Sequence, residues 1–316
     1  VRPRSLVPIL ILVACTASAA DDARERPPSP VVGRWDITVR DPHGEYPSWV
    51  EIQETHATLG GRFVGRVGGA RAIDHIIFSD GSLAFSLPPQ LEQRKDRLVF
   101  NGELHGAEMK GMTTNDRGEP VRWRAVRAPR LEKREDLRWG KPIALFNGRD
   151  LDGWRARQGK TPPCWSVEDS VLSNAGSCVD LVSRKKFRDF KLHAECRVPK
   201  DGDGGIHLRG RYEVRIRDQS GERTASPEEA MGSVYGFLAP SRDASKPAGE
   251  WQTMDVTLIG RRLTVELNGE TIIADAEIPG ITGDALDCNE DQPGPIVLQG
   301  HTGGIAFRNL VVTPAR

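Results

Sequence analysis

The 316-residue chain has no surplus of charge of either sign, 44 Lys and Arg standing against 44 Asp and Glu. Binding to phosphate backbones or anionic membranes by bulk charge needs a basic excess or a basic face, so the balance argues against a nucleic-acid partner. No stretch supplies the roughly 20 apolar residues a helix needs to cross a bilayer. Cysteine is scarce, with five residues, none in a C-x-x-C motif and none grouped with histidine at zinc-ligand spacing, which argues against a structural zinc site. Helical patterning is almost missing from the second half, where Pro227-Glu228-Glu229-Ala230 is the one short candidate. Turn formers are plentiful instead. Thirty-three glycines and 22 prolines make about 17% of the chain, above the usual ~12% and below the ~25–30% that marks disorder. At about 100–200 residues per domain, the length suggests two domains.

The first residues read as a targeting segment. Arg2 and Arg4 precede an apolar stretch over residues 6–14 and an Ala17-Ser18-Ala19 site, the layout of a signal peptide over residues 1–20. Leu12-Val13-Ala14-Cys15 also reads as a bacterial lipobox, in which Cys15 would carry a lipid anchor. Either route predicts an exported protein, periplasmic or extracellular, or an outer-membrane lipoprotein in the second case. A plain hydrophobic tail is the bland alternative.

Residues 30–128 run in short alternating segments such as Trp35-Asp36-Ile37-Thr38-Val39 and Val121-Arg122-Trp123-Arg124-Ala125. Turns such as Asp80-Gly81 and Arg117-Gly118 separate them at the spacing of a meander. The expectation is a smaller antiparallel, barrel-like accessory domain. Its pattern resembles a lipocalin-like module, which implies small-ligand or glycan binding, the alternative being a docking partner for the second half. Residues 129–141 are charge-dense between Pro129 and Pro142 and read as a linker or a solvated helical turn. Residues 142–316 supply about a dozen strands, with Asn268-Gly269 marking a hairpin turn. The fold class expected is therefore all-β, with two packed antiparallel sheets in a sandwich or jelly roll. Cys164 and Cys178 flank a hairpin and are the favoured disulfide among the three pairings open to Cys164, Cys178, Cys196 and Cys288, with buried free thiols as the alternative.

Ordered motifs in the second half carry a resemblance. Leu145-Phe146-Asn147-Gly148-Arg149-Asp150-Leu151-Asp152-Gly153-Trp154, Trp165-Ser166-Val167-Glu168, Gly204-Gly205-Ile206-His207-Leu208-Arg209-Gly210-Arg211-Tyr212-Glu213-Val214, Gly249-Glu250-Trp251-Gln252 and Gly294-Pro295-Ile296-Val297-Leu298-Gln299-Gly300-His301 follow one another. This set resembles the 3-keto-disaccharide hydrolase family, also described as 3-keto-glucoside 1,2-lyase and 3-keto-2-hydroxyglucal hydratase domains. The resemblance implies a concanavalin-A-like jelly roll with a sugar cleft, and a carbohydrate substrate. The family pattern has Asn-Ser-Gly-Ile where this chain has Asp203-Gly204-Gly205-Ile206, and Gln where Arg215 stands. Those two departures alter hydrogen bonding and charge in the cleft.

Strand alternation puts Ile206 and Leu208 on one face with His207 and Arg209 on the other, and opposes Tyr212, Val214 and Ile216 to Glu213, Arg215 and Arg217. The bland reading of this charged row is a solvated outer face. Gln299 and His301 alternate against Ile296 and Leu298, suiting either a cleft floor or a turn cap. A ketone at C3 of a glucosyl unit acidifies the C2 proton, so a base can remove it and the C1 substituent can leave by β-elimination, with hydration completing net hydrolysis. Glu213, His301 and His207 are the proton-transfer candidates. Arg209, Gln299, Trp251 and Tyr212 are candidates for substrate binding, Trp251 by stacking or else as core. A divalent metal ion is an open alternative as cofactor, with Glu213 as one ligand. Ordinary two-carboxylate hydrolysis would need a second carboxylate, for which Glu168, Asp218 and Glu250 are available. The competing function class is a non-catalytic, lectin-like glycan-binding protein.

Overall fold

The computed structural model describes residues 27–92, 94–132, 134–158, 164–219, 226–300 and 304–316. Residues 1–26, on which the expected signal peptide and Cys15 fall, lie outside the described residues, as does His301. The architecture is all-β. Strands β1 (Gly33–Asp41), β2 (Gly44–Thr55), β3 (Thr58–Val64), β4 (Arg71–Ser79), β5 (Ser82–Leu87), β6 (Leu98–His105), β7 (Glu108–Thr114) and β8 (Pro120–Arg127) form an up-and-down barrel. Antiparallel pairing of β1 with β8 closes it, Trp35 facing Arg127 and Arg40 facing Arg122.

Alternation places one face of each strand in the lumen, as in β8, where Val121, Trp123 and Ala125 are buried between exposed neighbours. An eight-stranded barrel is just wide enough for side chains to fill it or for one small ligand. Here side chains fill it. Phe85 and Phe100 stack with centroids 4.9 Å apart, Phe63 leans on both, and Trp123 closes over Phe100. Gly102 lies beneath the Trp123 indole, where a Cβ would strike the ring. The lumen thus matches the expected barrel in strand count, with an aromatic core inside it.

The second half is a sandwich. One sheet joins β10 (Trp154–Ala156), β13 (Leu181–Phe187), β20 (Gly294–Leu298), β15 (Asp203–Leu208) and β16 (Tyr212–Arg217) in that order. The other joins β11 (Trp165–Glu168), β12 (Val171–Asn174), β21 (Ala306–Pro314), β14 (Phe190–Arg197), β17 (Trp251–Ile259), β18 (Arg262–Leu267) and β19 (Glu270–Glu277), with the short β9 (Ile143–Ala144) on β21. Non-consecutive neighbours such as β13–β20–β15 are the crossovers of a jelly roll. The inner faces supply the core, including Leu192, Ala194, Ile206, Leu208, Val214, Met254, Val256, Leu298 and Phe307. Asn268 and Gly269, at φ 53° and 85°, make the expected hairpin turn between β18 and β19, because a type I′ turn needs positive φ at both positions. The helical candidate is a single 3₁₀ turn over Pro227–Glu229. Cys164 and Cys178 are disulfide-bonded, while Cys196 and Cys288 are free thiols. At the end of the charge-dense stretch the Gly140 amide donates to Pro314 O and Trp139 bridges to Ala315, laying these two residues along the end of β21.

Barrel and sandwich meet across an extensive surface. Positions 48–52 of β2 are all buried, because that wall has lumen on one side and sandwich on the other. Trp49 and Val64 point away from the lumen and join the sandwich core. Asp36, on β1, faces Glu290, Arg261 and Arg211 of the sandwich, and one carboxylate oxygen has no hydrogen-bond partner. Burial, reinforced by Glu290, pushes its carboxyl up to about 8. A raised carboxyl stabilises the fold in its protonated form. That contribution is complete below the ordinary value of 3.8 and is lost as pH rises through about 8. Asp36→Asn, neutral at every pH, is therefore expected to melt above wild type at pH 9 and close to it at pH 4. Equal melting temperatures at pH 9 would refute the assignment.

Candidate active site

The site is built on the β15–β16 hairpin. Its register pairs His207 with Glu213, Gly205 with Arg215 and Asp203 with Arg217, so these side chains share one face of the five-stranded sheet. β20 adds Gln299: the β15–β20 register sets His207 opposite Val297, and the Gln299 amide donates to Gly205 O. The side chains converge as this register requires. The Gln299 amide nitrogen lies 2.8 Å from His207 Nε2, and His207 Nε2 lies 3.8 Å from Glu213 Oε2. Arg215 bridges two carboxylates, donating from Nη1 to Glu213 at 2.9 Å and from Nη2 to Asp203 at 2.8 Å. Gly205 is the floor, since a Cβ there would come within 2.8 Å of Glu213 Cγ and 3.0 Å of Gln299 Oε1.

This charged face is covered rather than solvated. His207 and Glu213 retain 1% and 2% exposure, which overturns the bland reading of an outer surface. A segment after the 3₁₀ turn extends the sheet edge beside β16: Val234 bridges to Val214, and the Tyr235 amide donates to Glu213 O. The Arg215 guanidinium stacks on the Tyr235 ring, 4.4 Å from its centroid. At the same edge the Glu213 backbone amide donates to Thr282 Oγ1. Beyond it Arg157 clamps Asp180 at 3.1 Å and Asp284 at 2.8 Å.

Burial dominates the electrostatics of Glu213. Removing a carboxylate from water disfavours its charged form, and the negative charges of Asp203 and Asp284 add to the effect. Arg215 opposes it without cancelling it, leaving Glu213 raised to about 7. Among the described residues, the buried Arg215 Nε and Gln299 Oε1 find no hydrogen-bond partner. Buried polar groups are normally satisfied, so these two offer hydrogen-bonding capacity to a polar ligand.

Three expected members are elsewhere. Arg209 was expected to share the face of His207, but it follows the last strand residue and adopts φ 53°, where alternation no longer applies. Its guanidinium crosses to the other sheet and donates to Gly260 O and to the Tyr212 hydroxyl. Tyr212 lies on the inner face of β16 and donates to Glu290 at 2.5 Å. Arg261 grips the same Glu290 with two nitrogens at 2.6 and 2.9 Å. Arg209 and Tyr212 thus tie the two sheets together at one end of the sandwich. Trp251 belongs to β17 in the eight-stranded sheet, with Arg308 and Arg197 stacked 4.0 and 5.0 Å from its ring centroid. Of the spare carboxylates, Glu168 ends β11 and Glu250 precedes β17, both in the eight-stranded sheet, while Asp218 receives the Asp201 amide at the far end of the hairpin. Arg157, Asp180, Tyr235 and Asp284 were missed because they come from loops without periodicity. Arg215 was visible in the alternation as a neighbour of Glu213.

A buried Glu-Arg-His-Gln cluster on one sheet of a jelly-roll sandwich is the candidate site, and the comparisons give the family. The chain belongs to the 3-keto-alpha-glucoside-1,2-lyase-like domain family, whose model matches residues 141–313. A 3-keto-disaccharide hydrolase from Bacteroides thetaiotaomicron is 24% identical over 166 residues, covering 42% of this chain. The chain spans 57% of the length of that curated relative. Among solved structures, a protein from Parabacteroides distasonis described as a candidate glycosyl hydrolase is 26% identical, with a TM-score of 0.48 over 59% of this chain and 94% of that one. A β-glucanase from Bacillus licheniformis is 13% identical, with a TM-score of 0.35 over 56% of this chain and 99% of its own.

Proposed function

We propose that the protein is an exported carbohydrate-active enzyme that cleaves 3-keto-glycosides by C2 proton abstraction and β-elimination, followed by hydration. Export rests on the Arg-flanked apolar N-terminal segment and its Ala17-Ser18-Ala19 site. The observation that carries the chemistry is the buried Glu213, held near neutral proton affinity beside a cationic Arg215. An efficient general base has a pKa near the working pH. Glu213 takes the C2 proton, and the electron pair moves toward the C3 carbonyl oxygen. That oxygen needs donors in a dry site, and Arg215 Nε–H is one that has no hydrogen-bond partner among the described residues. Collapse of the enediolate expels the C1 substituent, whose oxygen takes up a proton from His207. Adding water across the resulting glucal, with Glu213 returning its proton to C2 and His207 regaining one from the water that attacks C1, gives the 3-keto sugar, so the net reaction is hydrolysis.

The described residues do not fit a divalent cation at this point. Arg215 already holds Glu213 Oε1, placing a positive charge where a metal would have to approach. Among the described residues no three His, Cys, Asp or Glu side chains are grouped to hold one. No step is therefore drawn through a metal.

The test is direct. The mature protein incubated with a 3-keto-glucoside is expected to release the aglycone together with 3-ketoglucose or the glucal. No release, with or without added divalent metal, alongside measurable binding of the glycan, would replace this reading with the lectin-like one.

A further inference from the structure

The two segments that hold the Glu213 backbone, at Tyr235 and Thr282, are themselves seated on the barrel. The seat is the β3–β4 loop, residues 65–70. The Asp284 amide donates to Arg66 O at 2.8 Å, and a Cβ on Gly283 would strike Gly68 O and the Val67 carbonyl. On the other segment, a Cβ on Gly236 would strike the Ala70 amide and Gly69 Cα. A Cβ on Gly69 would in turn lie 3.1 Å from Gly236 Cα and 3.8 Å from Tyr235 Cζ. At Gly283 and Gly236 these are contacts of backbone on backbone that leave no space for a methyl group, while at Gly69 the neighbour would have to give slightly. Next to them Trp49 of the barrel meets Phe237 edge-on with centroids 5.4 Å apart, and a Cβ on Gly280 would strike the Trp49 indole.

We infer that the barrel is a positioning element of the active site, its β3–β4 loop fixing residues 235–236 and 282–284 and through them Glu213. The inference rests on the reading of Glu213 as the base. Burial of that carboxylate also depends on the contact, because the loop presses Tyr235 and Asp284 against the cluster. The loop's role is carried through the bonds of the Glu213 backbone to Thr282 Oγ1 and Tyr235 N.

Gly283→Ala in the full-length chain tests this. Gly283 is not in the left-handed region, so the substitution acts through the contact with Gly68 rather than through φ. A displacement of about 1 Å can cost about 10²-fold in rate, so kcat is expected to fall by that order with KM changed less than about threefold. Amide exchange at Glu213 and Tyr235 is expected to quicken by about 10-fold, since their protection depends on this local packing. Wild-type exchange in a folded Gly283→Ala protein would overturn the inference, and so would faster exchange with an unchanged kcat. If Gly283→Ala does not fold, Gly69→Ala, whose Cβ requires a smaller adjustment, carries the same two measurements. If the wild-type protein does not act on 3-keto-glycosides, the base assignment fails, whereas the exchange measurement still decides whether the barrel seats these segments.

Discussion

Glu213→Gln is expected to lower turnover of a 3-keto-glycoside by about 10²–10⁴-fold, the range that a general base contributes. In the wild type, kcat/KM should rise with pH through a limb near 7, the value to which burial raises this carboxyl. The variant should lack that limb. Stability is expected to move the other way. A carboxyl raised from 4.5 to about 7 contributes stability that is complete below 4.5 and lost as pH rises through 7. At about 1.4 kcal/mol per pKa unit, the loss is on the order of 3 kcal/mol. Glu213→Gln should escape most of it, since Arg215 keeps its pair with Asp203. Denaturant melts at pH 5 and pH 8.5 check this. An active variant, or one with the same pH dependence of stability as wild type, would remove Glu213 from the role assigned here.

Arg215→Gln is expected to have the second-largest effect, through Glu213 rather than through any contact of its own with solvent. Its guanidinium neutralises Glu213 and Asp203 in a site almost closed to water. Losing an opposite charge at hydrogen-bond distance typically shifts a carboxyl by about 1–3 units, so the limb of the pH–rate profile should move upward by at least one unit. At pH 7 the variant would be slow, and at pH 9 it would recover part of its activity. Breaking one side of a buried ion pair costs about 3–5 kcal/mol when the remaining charge is ionised, so the protein should also melt earlier above neutral pH. The double variant Glu213→Gln/Arg215→Gln should regain much of that stability, because no buried carboxylate is then left without its cation. A profile unmoved in Arg215→Gln would separate the arginine from the base.

The legible parts of the site are those set by short-range rules. Period-two alternation and a tight turn bring His207 opposite Glu213, and Gln299, one residue past β20 with its backbone still paired to Gly205, keeps that strand's alternation and joins them. Arg209 went astray one residue beyond the strand, where a left-handed backbone turned it toward Gly260. Trp251 sits in a strand that alternates cleanly, and alternation says which face a residue occupies without saying which sheet the strand joins. Arg157, Tyr235 and Asp284 reach the cluster from irregular segments, for which no periodic signal exists.

From sequence alone, the strand pattern, the turn at Asn268-Gly269, the ordered family motifs and the pairing of histidine with glutamate on one strand face could all be established, because each depends on residues close together in the chain. The tertiary structure decided whether that face meets water. A row of charges on a sheet surface is ordinarily solvated, and here residues 232–238 and 280–285, themselves seated on the barrel loop, pack beside it while His207 and Glu213 are buried. Such packing is a property of contacts between segments far apart in sequence, such as Gly69 with Gly236 and Arg66 with Asp284. That burial raises Glu213 toward neutrality and turns a carboxylate of ordinary acidity into a candidate base.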